Sequence, residues 1–203
     1  MSFPTNFNNN VATKAGEGLH ILYITGVHCK QTEQFLAFLT NFTQNFNSTW
    51  NTETVYGRVD PIATFQGNQR TLSLGWNIPS ANLQDAVGNL KRFSNLARLI
   101  YPGYTKDQSS TEGNINALTL GKPPLLRLKY ANLISSGDPN GLLGYVGNLA
   151  WSPDLDMGVF ADEFSREIYP KVVQLSMDFT VLHEEVLGWD KSKFRGSTFP
   201  FGG

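Results

Sequence analysis

Between Val173 and Val181 the chain alternates without exception. Val173, Leu175, Met177, Phe179 and Val181 are apolar, and Gln174, Ser176, Asp178 and Thr180 between them are polar. Successive side chains of a strand point to opposite faces, so this run specifies a strand with one face buried and one wet. A half-buried strand requires a sheet and a layer to cover it, and a purely helical fold is excluded from the outset.

Other segments carry the same period. Leu72, Leu74, Trp76 and Ile78 alternate with Thr71, Ser73, Gly75 and Asn77. Leu126, Leu128 and Tyr130 alternate with Arg127 and Lys129, after Lys122-Pro123-Pro124. Leu143, Tyr145, Leu149 and Trp151 predict a further strand that Ser152-Pro153-Asp154 ends, and 157–160 is a short candidate. Leu19 to Val27 is apolar on both faces and is expected to be covered on both sides.

One helix is predicted. Pro79 stops the strand before it, Ser80 or Asn82 can cap it, and Leu83, Ala86, Val87, Leu90, Phe93, Leu96, Ala97 and Ile100 fall at helical spacing ahead of Pro102-Gly103. That spacing implies about six turns. Residues 33–46 are ambiguous: Phe35, Phe38, Leu39, Phe42 and Phe46 lie at helical intervals, whereas the Phe and Thr content favours a strand. Residues 1–17 have no apolar period and read as a flexible arm, 105–116 as a long polar loop, and 137–141 as a turn. The expected organisation is an arm over 1–17, one domain over 18–187 and an extended C-terminal tail over 188–203. The expected fold class is α+β: a mostly antiparallel sandwich or barrel-like sheet with one long helix.

Composition narrows the function classes. Of the 203 residues 16% are charged, against roughly 25% in an ordinary soluble domain, and the missing charge is replaced by 18 Asn and 19 Gly together with Ser and Thr. A net charge of −1 leaves no basic footprint for nucleic acid. No apolar run is long enough for a membrane span, and the N-terminus has neither the basic flank nor the apolar run of a secretory signal, so no membrane insertion and a cytosolic origin are expected. Cys29 is alone, which excludes an internal disulfide, and it is expected to be buried or half-buried.

Catalytic constellations are not found. His20, His28 and His183 show no metal-binding spacing; His183-Glu184-Glu185 is expected to end the last strand. Phosphate loops and the GxSxG elbow are missing, and Gly141 to Gly147 is a glycine-spaced strand entry with no helix after it. The carboxylate pairs Asp154/Asp156 and Asp162/Glu163 sit in turn-like sequence, where Asp serves local hydrogen bonding. No catalytic, metal or cofactor residue is therefore assigned, and the chain is expected not to be an enzyme. One local cluster stands out. Trp50 to Phe65 places Tyr56, Gly57, Arg58, Asp60 and Pro61 side by side between two strand-like segments. A guanidinium beside a carboxylate and a proline-fixed turn suits either an intramolecular turn salt bridge or a subunit contact. Tyr56, Arg58, Asp60 and Pro61 are thus the candidate interface residues.

The runs Phe35 to Phe42, Trp50, Val55 to Ile62 (VYGRVDPI) and Arg70 to Leu74 resemble baseplate and tail-tube-related structural proteins of contractile-tailed bacteriophages, over roughly residues 18–190. The resemblance implies an extended strand at 35–42 and a tail-tube-like fold. It also implies a homohexameric ring whose sheets join between subunits around a channel, located in the virion baseplate and assembled in the host cytoplasm. Its partners would be copies of itself and other baseplate and tail-tube proteins, with phage DNA passing without specific binding. Three functions follow for testing: a ring-forming hub or tube-initiator subunit, a peripheral wedge or adaptor that forms no ring, and, from a different class, a peptidoglycan hydrolase or peptidase.

Overall fold

The computed structural model describes residues 21–106, 118–135, 140–162, 166–196 and 199–201. Its centre is a seven-stranded antiparallel sheet built from β1 (Ile21–Gly26), β2 (Thr32–Leu36), β3 (Phe38–Glu53), β4 (Ile62–Pro79), β7 (Leu126–Tyr130), β8 (Leu142–Asp162) and β9 (Glu167–Val181). The spatial order is β2-β1-β7-β8-β9-β4-β3. A ribbon of β5 (Gly103–Lys106) and β6 (Leu118–Lys122) and a hairpin of β10 (Gly188–Asp190) and β11 (Lys193–Arg195) complete the strands. Among the described residues the single helix, α1, is Leu83–Leu99.

The expected fold class is corrected by this architecture. The described chain is mostly antiparallel β with one 17-residue helix, shorter than the sequence spacing implied. The sheet is open, neither a sandwich nor a closed barrel, because no ladder joins its terminal strands β2 and β3. These two strands are nevertheless consecutive in sequence, separated by Ala37, which is fully buried and whose carbonyl accepts from the Tyr130 hydroxyl at 3.3 Å. A chain can pass from one edge to the other within one residue only if the sheet coils until its edges meet at that corner.

The alternating runs fill the inside of this coil. Leu22, Ile24, Phe35, Leu72, Leu74, Trp76, Leu126, Leu128, Leu175, Met177 and Phe179 share one buried cluster with Leu96 and Leu99 of α1. Burying each such side chain contributes about 1.5–3 kcal/mol. Asn82 caps α1 by accepting from the Asp85 amide at 2.8 Å, satisfying one of the free N–H groups of the first turn. Asn82→Ala is expected to cost about 1 kcal/mol, lowering the melting temperature by roughly 2–4 °C in a chain of this size; thermal denaturation followed by circular dichroism measures it. The helix packs against β1 and β2 on one side and β8 and β9 on the other, where Phe93 stacks on Trp151 at 5.7 Å.

Several local expectations change. Residues 33–46 are strand, split at Ala37 between β2 and β3. Pro153 does not end β8, which pairs with β9 at Pro153↔Val173 and continues, after a register shift between Asp154 and Val159, to Asp162. A proline is tolerated there because β8 has no ladder partner on its other side beyond Gly144, so a missing N–H breaks no pair. Residues 188–195 form a hairpin in place of an extended tail. Cys29 is exposed, with its thiol 3.9 Å from the Gly26 carbonyl. The expected N-terminal arm, His20 and most of the 105–116 loop lie outside the described residues.

Candidate interaction surfaces and the Arg70 junction

Two hairpins outgrow the body. β4 pairs with β9 only from Thr71↔Thr180 to Pro79↔Val172, whereas its pairing with β3 continues from Thr71 out to Ile62↔Glu53. Nine residues of β4 therefore run past the sheet, an arm about 30 Å long at roughly 3.3 Å per residue. At the other end of the same ladder β9 runs past Pro79 to Glu167 with β8 alongside, a second arm about 17 Å long. The two arms leave the body in opposite directions, because they extend opposite ends of one β4–β9 ladder.

The strands of the first arm are almost uncharged, with a few large apolar side chains set among Asn, Gln, Ser and Thr. Among all residues of β3 and β4 only Glu53 and Arg70 carry charge. Trp50 and Phe65 pair across the arm edge to face at 5.2 Å, yet remain 55% and 49% exposed. Phe46, Val55, Val59 and Ile62 add exposed apolar area along the arm and its tip. The second arm exposes Leu155, Met157 and Ile168, but it carries more charge, and the amide of Asp156 bonds the Asp154 carboxylate at 3.2 Å, the local role expected of that pair.

The candidate interface residues Tyr56, Arg58, Asp60 and Pro61 sit together at the tip of the first arm, all exposed. The Arg58 amide closes the turn on the Val55 carbonyl at 3.2 Å, and Gly57 takes a φ of 86° there, a conformation that favours glycine. Arg58 and Asp60 form no ion pair among the described residues, so the turn salt bridge that the sequence left open is not made.

The two sheet edges differ in how they are protected. β2 is five residues long, and Arg92 of α1 donates to the Gln34 carbonyl at 3.0 Å, occupying an acceptor of that strand. β3 is sixteen residues long, without proline and with Glu53 as its sole charge. Charges, prolines and short length are the usual defences of an exposed edge, and β3 has almost none.

At the root of the first arm lies a junction that sequence reading missed. Arg70 is 2% exposed. Its Nη2 donates to Gln44 Oε1 and to the Pro200 carbonyl, both at 3.0 Å, and its guanidinium lies 5.6 Å from the centre of the Phe46 ring and 5.4 Å from that of Phe199. These contacts tie the C-terminal segment to the arm root. The available signal was parity: Arg70 continues the buried series Leu72, Leu74, Trp76 and Ile78 one step outward. His183 packs against Phe199 at 5.9 Å. Partial burial first, and then the Arg70 charge, hold its imidazole below the usual histidine pKa. Glu184 follows it but is bound to Arg127 by two hydrogen bonds of 2.9 and 2.6 Å.

A lowered histidine pKa means that the unfolded chain binds the extra proton more readily than the folded one. The His183 contribution is therefore neutral above about pH 6.5 and becomes destabilising as pH falls through that value toward the lower folded pKa. The loss of stability between pH 7.5 and 5.5, read from urea denaturation, is expected to be smaller in His183→Gln than in the parent.

Among the described residues no three His, Cys, Asp or Glu side chains cluster as a metal site, and no helix is long and apolar enough to cross a membrane. No protein-family model and no curated protein matches the chain. Among solved structures the chain is similar to the SPP1 Dit protein, described as a paradigm of the hub adsorption apparatus in phages infecting Gram-positive bacteria. The TM-score is 0.37 and the identity 8%, covering 79% of this chain. The chain spans 49% of the length of that protein. A likeness this slight does not define a shared fold.

Proposed function

We propose that the chain is a non-enzymatic structural subunit of a bacteriophage tail baseplate, one that self-associates into a ring at the hub or tube-initiator position of a contractile tail. The observation that carries the reading is the β3–β4 arm: a long, nearly uncharged edge with large apolar side chains that the described residues leave exposed. Exposed apolar patches of this kind mark interaction sites, and open edges become pairing sites when a ring closes. The VYGRVDPI resemblance supplies the virion context, with its turn at the arm tip where a neighbour would meet it. Neutral polar faces suit such a role because each buried unpaired charge costs several kcal/mol, whereas Asn, Ser and Thr are satisfied by backbone or water. The near-neutral charge also suits a channel through which DNA passes without sticking.

Negative-stain electron microscopy and sedimentation of the purified chain test this reading. Ring-shaped particles with a central channel are expected, alone or with baseplate proteins. A chain that stays monomeric at high concentration and binds no baseplate protein would sink it. The open sheet favours a second reading, a peripheral wedge or adaptor that docks on the hub through its arms; hub binding without ring particles distinguishes it.

A further inference from the structure

A cavity of about 200 Å³ opens beside the Arg70 junction, lined by Arg70, Leu142, Leu143, Leu182, Leu187 and Phe199, with His183, Glu184 and Glu185 also in its wall. Arg70 is the unusual member. It is buried, it has no carboxylate partner among the described residues, and its Nε is a buried donor with no acceptor. The groups that do touch it are neutral: an amide oxygen, a backbone carbonyl and two phenyl rings. A buried guanidinium is normally paired, and this one meets an apolar cavity instead.

We propose that this cavity binds a carboxylate carried on an apolar body of side-chain size, with the carboxylate against the Arg70 guanidinium and the apolar body among the leucines. The chemistry selects that class over others. Beyond the two hydrogen bonds from Nη2, the guanidinium keeps N–H groups that suit a charge-assisted pair with a carboxylate. The leucine walls offer nothing to a hydrated, multiply charged anion such as phosphate. Glu184 is paired with Arg127, and the Glu185 carboxylate in the wall repels a multiply charged anion more than a singly charged one. The volume is of the order that accommodates a benzene-sized group. The site lies at the root of the arm, next to Gln44 and Phe46, and its occupancy is read without ring formation.

The test uses the whole chain and titrates hexanoate, its neutral counterpart hexanamide, and inorganic phosphate, following the Arg70 Nε–H signal by nuclear magnetic resonance. Hexanoate is expected to give a saturable shift, hexanamide to bind at least about tenfold more weakly, and phosphate to give no saturable shift. Arg70→Gln should abolish hexanoate binding. Because Arg70 also holds the junction together, Leu187→Trp provides an independent variant that fills the cavity and keeps the guanidinium; it too should abolish binding. A leucine-terminated peptide and its C-terminal amide separate the sources of the ligand. Binding of the peptide acid but not the amide assigns the site to a partner polypeptide, and binding of hexanoate alone assigns it to free acids. Equal binding of acid and amide, saturable binding of phosphate, or hexanoate binding unaffected by Leu187→Trp would overturn the proposal, as would no binding by any probe.

Discussion

A Trp50→Lys, Phe65→Lys double variant is expected to remain folded and to lose assembly. Both rings lie on the first arm, beyond the Thr71↔Thr180 pair where the sheet ends, and both are about half exposed in the isolated chain. Surface substitutions away from the core usually change stability by less than about 0.5 kcal/mol each, about 1 kcal/mol for the two, so the melting temperature should move by no more than about 4 °C. In an interface, aromatic anchors of this kind contribute about 2 kcal/mol or more each, which is roughly 30-fold in affinity per ring. Lysine also brings a charge that has to be desolvated against apolar surface. The combined loss should reach at least about 100-fold per subunit contact, enough to leave monomers at micromolar concentration. Sedimentation velocity and circular dichroism on the same samples separate the two effects. Unchanged particles would remove the arm from the interface; joint loss of folding and assembly would place the pair in the core, contrary to its exposure.

Trp76→Ala should be the most damaging single change to the body. The ring is fully buried in β4, tilted against Phe35 of β2 with ring centres 6.1 Å apart, so it joins two strands that lie near opposite ends of the sheet order. Removing it leaves a cavity that the coiled sheet closes only partly, at a cost of about 3–5 kcal/mol. That is a large fraction of the roughly 5–15 kcal/mol that holds a domain together. Trp76→Phe provides the contrast. It leaves a smaller void and removes the indole N–H, which is buried without a partner, so less than half of the alanine loss is expected. Urea denaturation of the three proteins checks the order. A Phe variant as unstable as the Ala variant would mean that the indole nitrogen is satisfied by water.

Much of the body was legible because its signals are local. Leu72 to Ile78, Leu126 to Tyr130 and Val173 to Val181 each occupy the predicted strand with the predicted buried face, since alternation depends only on the pleat of one segment. Asn82 and the apolar stripe of α1 were legible for the same reason. Residues 33–46 were not, because Phe38, Phe42 and Phe46 satisfy both periods, with Phe35 added at helical spacing and Leu36 at strand spacing, and the decision rests with the strands they pair with. Pro153 misled because a proline stops a strand only where its N–H is needed, which depends on the neighbour. The candidate interface cluster was found as a turn, but its place at the tip of a long arm follows from ladder lengths that no local pattern records. Arg70 carried a parity signal, and its meaning came only with Phe199 and Pro200, about 130 residues away in the chain.

The sequence by itself determined which faces of the long strands turn inward and where the helix begins, because pleat and cap are properties of a few adjacent residues. Tertiary structure alone decided that the coiled sheet stays open and that, among the described residues, β3 is left as its bare edge and Arg70 is buried without a counter-charge. Each of these depends on which distant segments meet, and hydrogen-bonded pairing between strands leaves no fixed spacing in the chain from which it could be read.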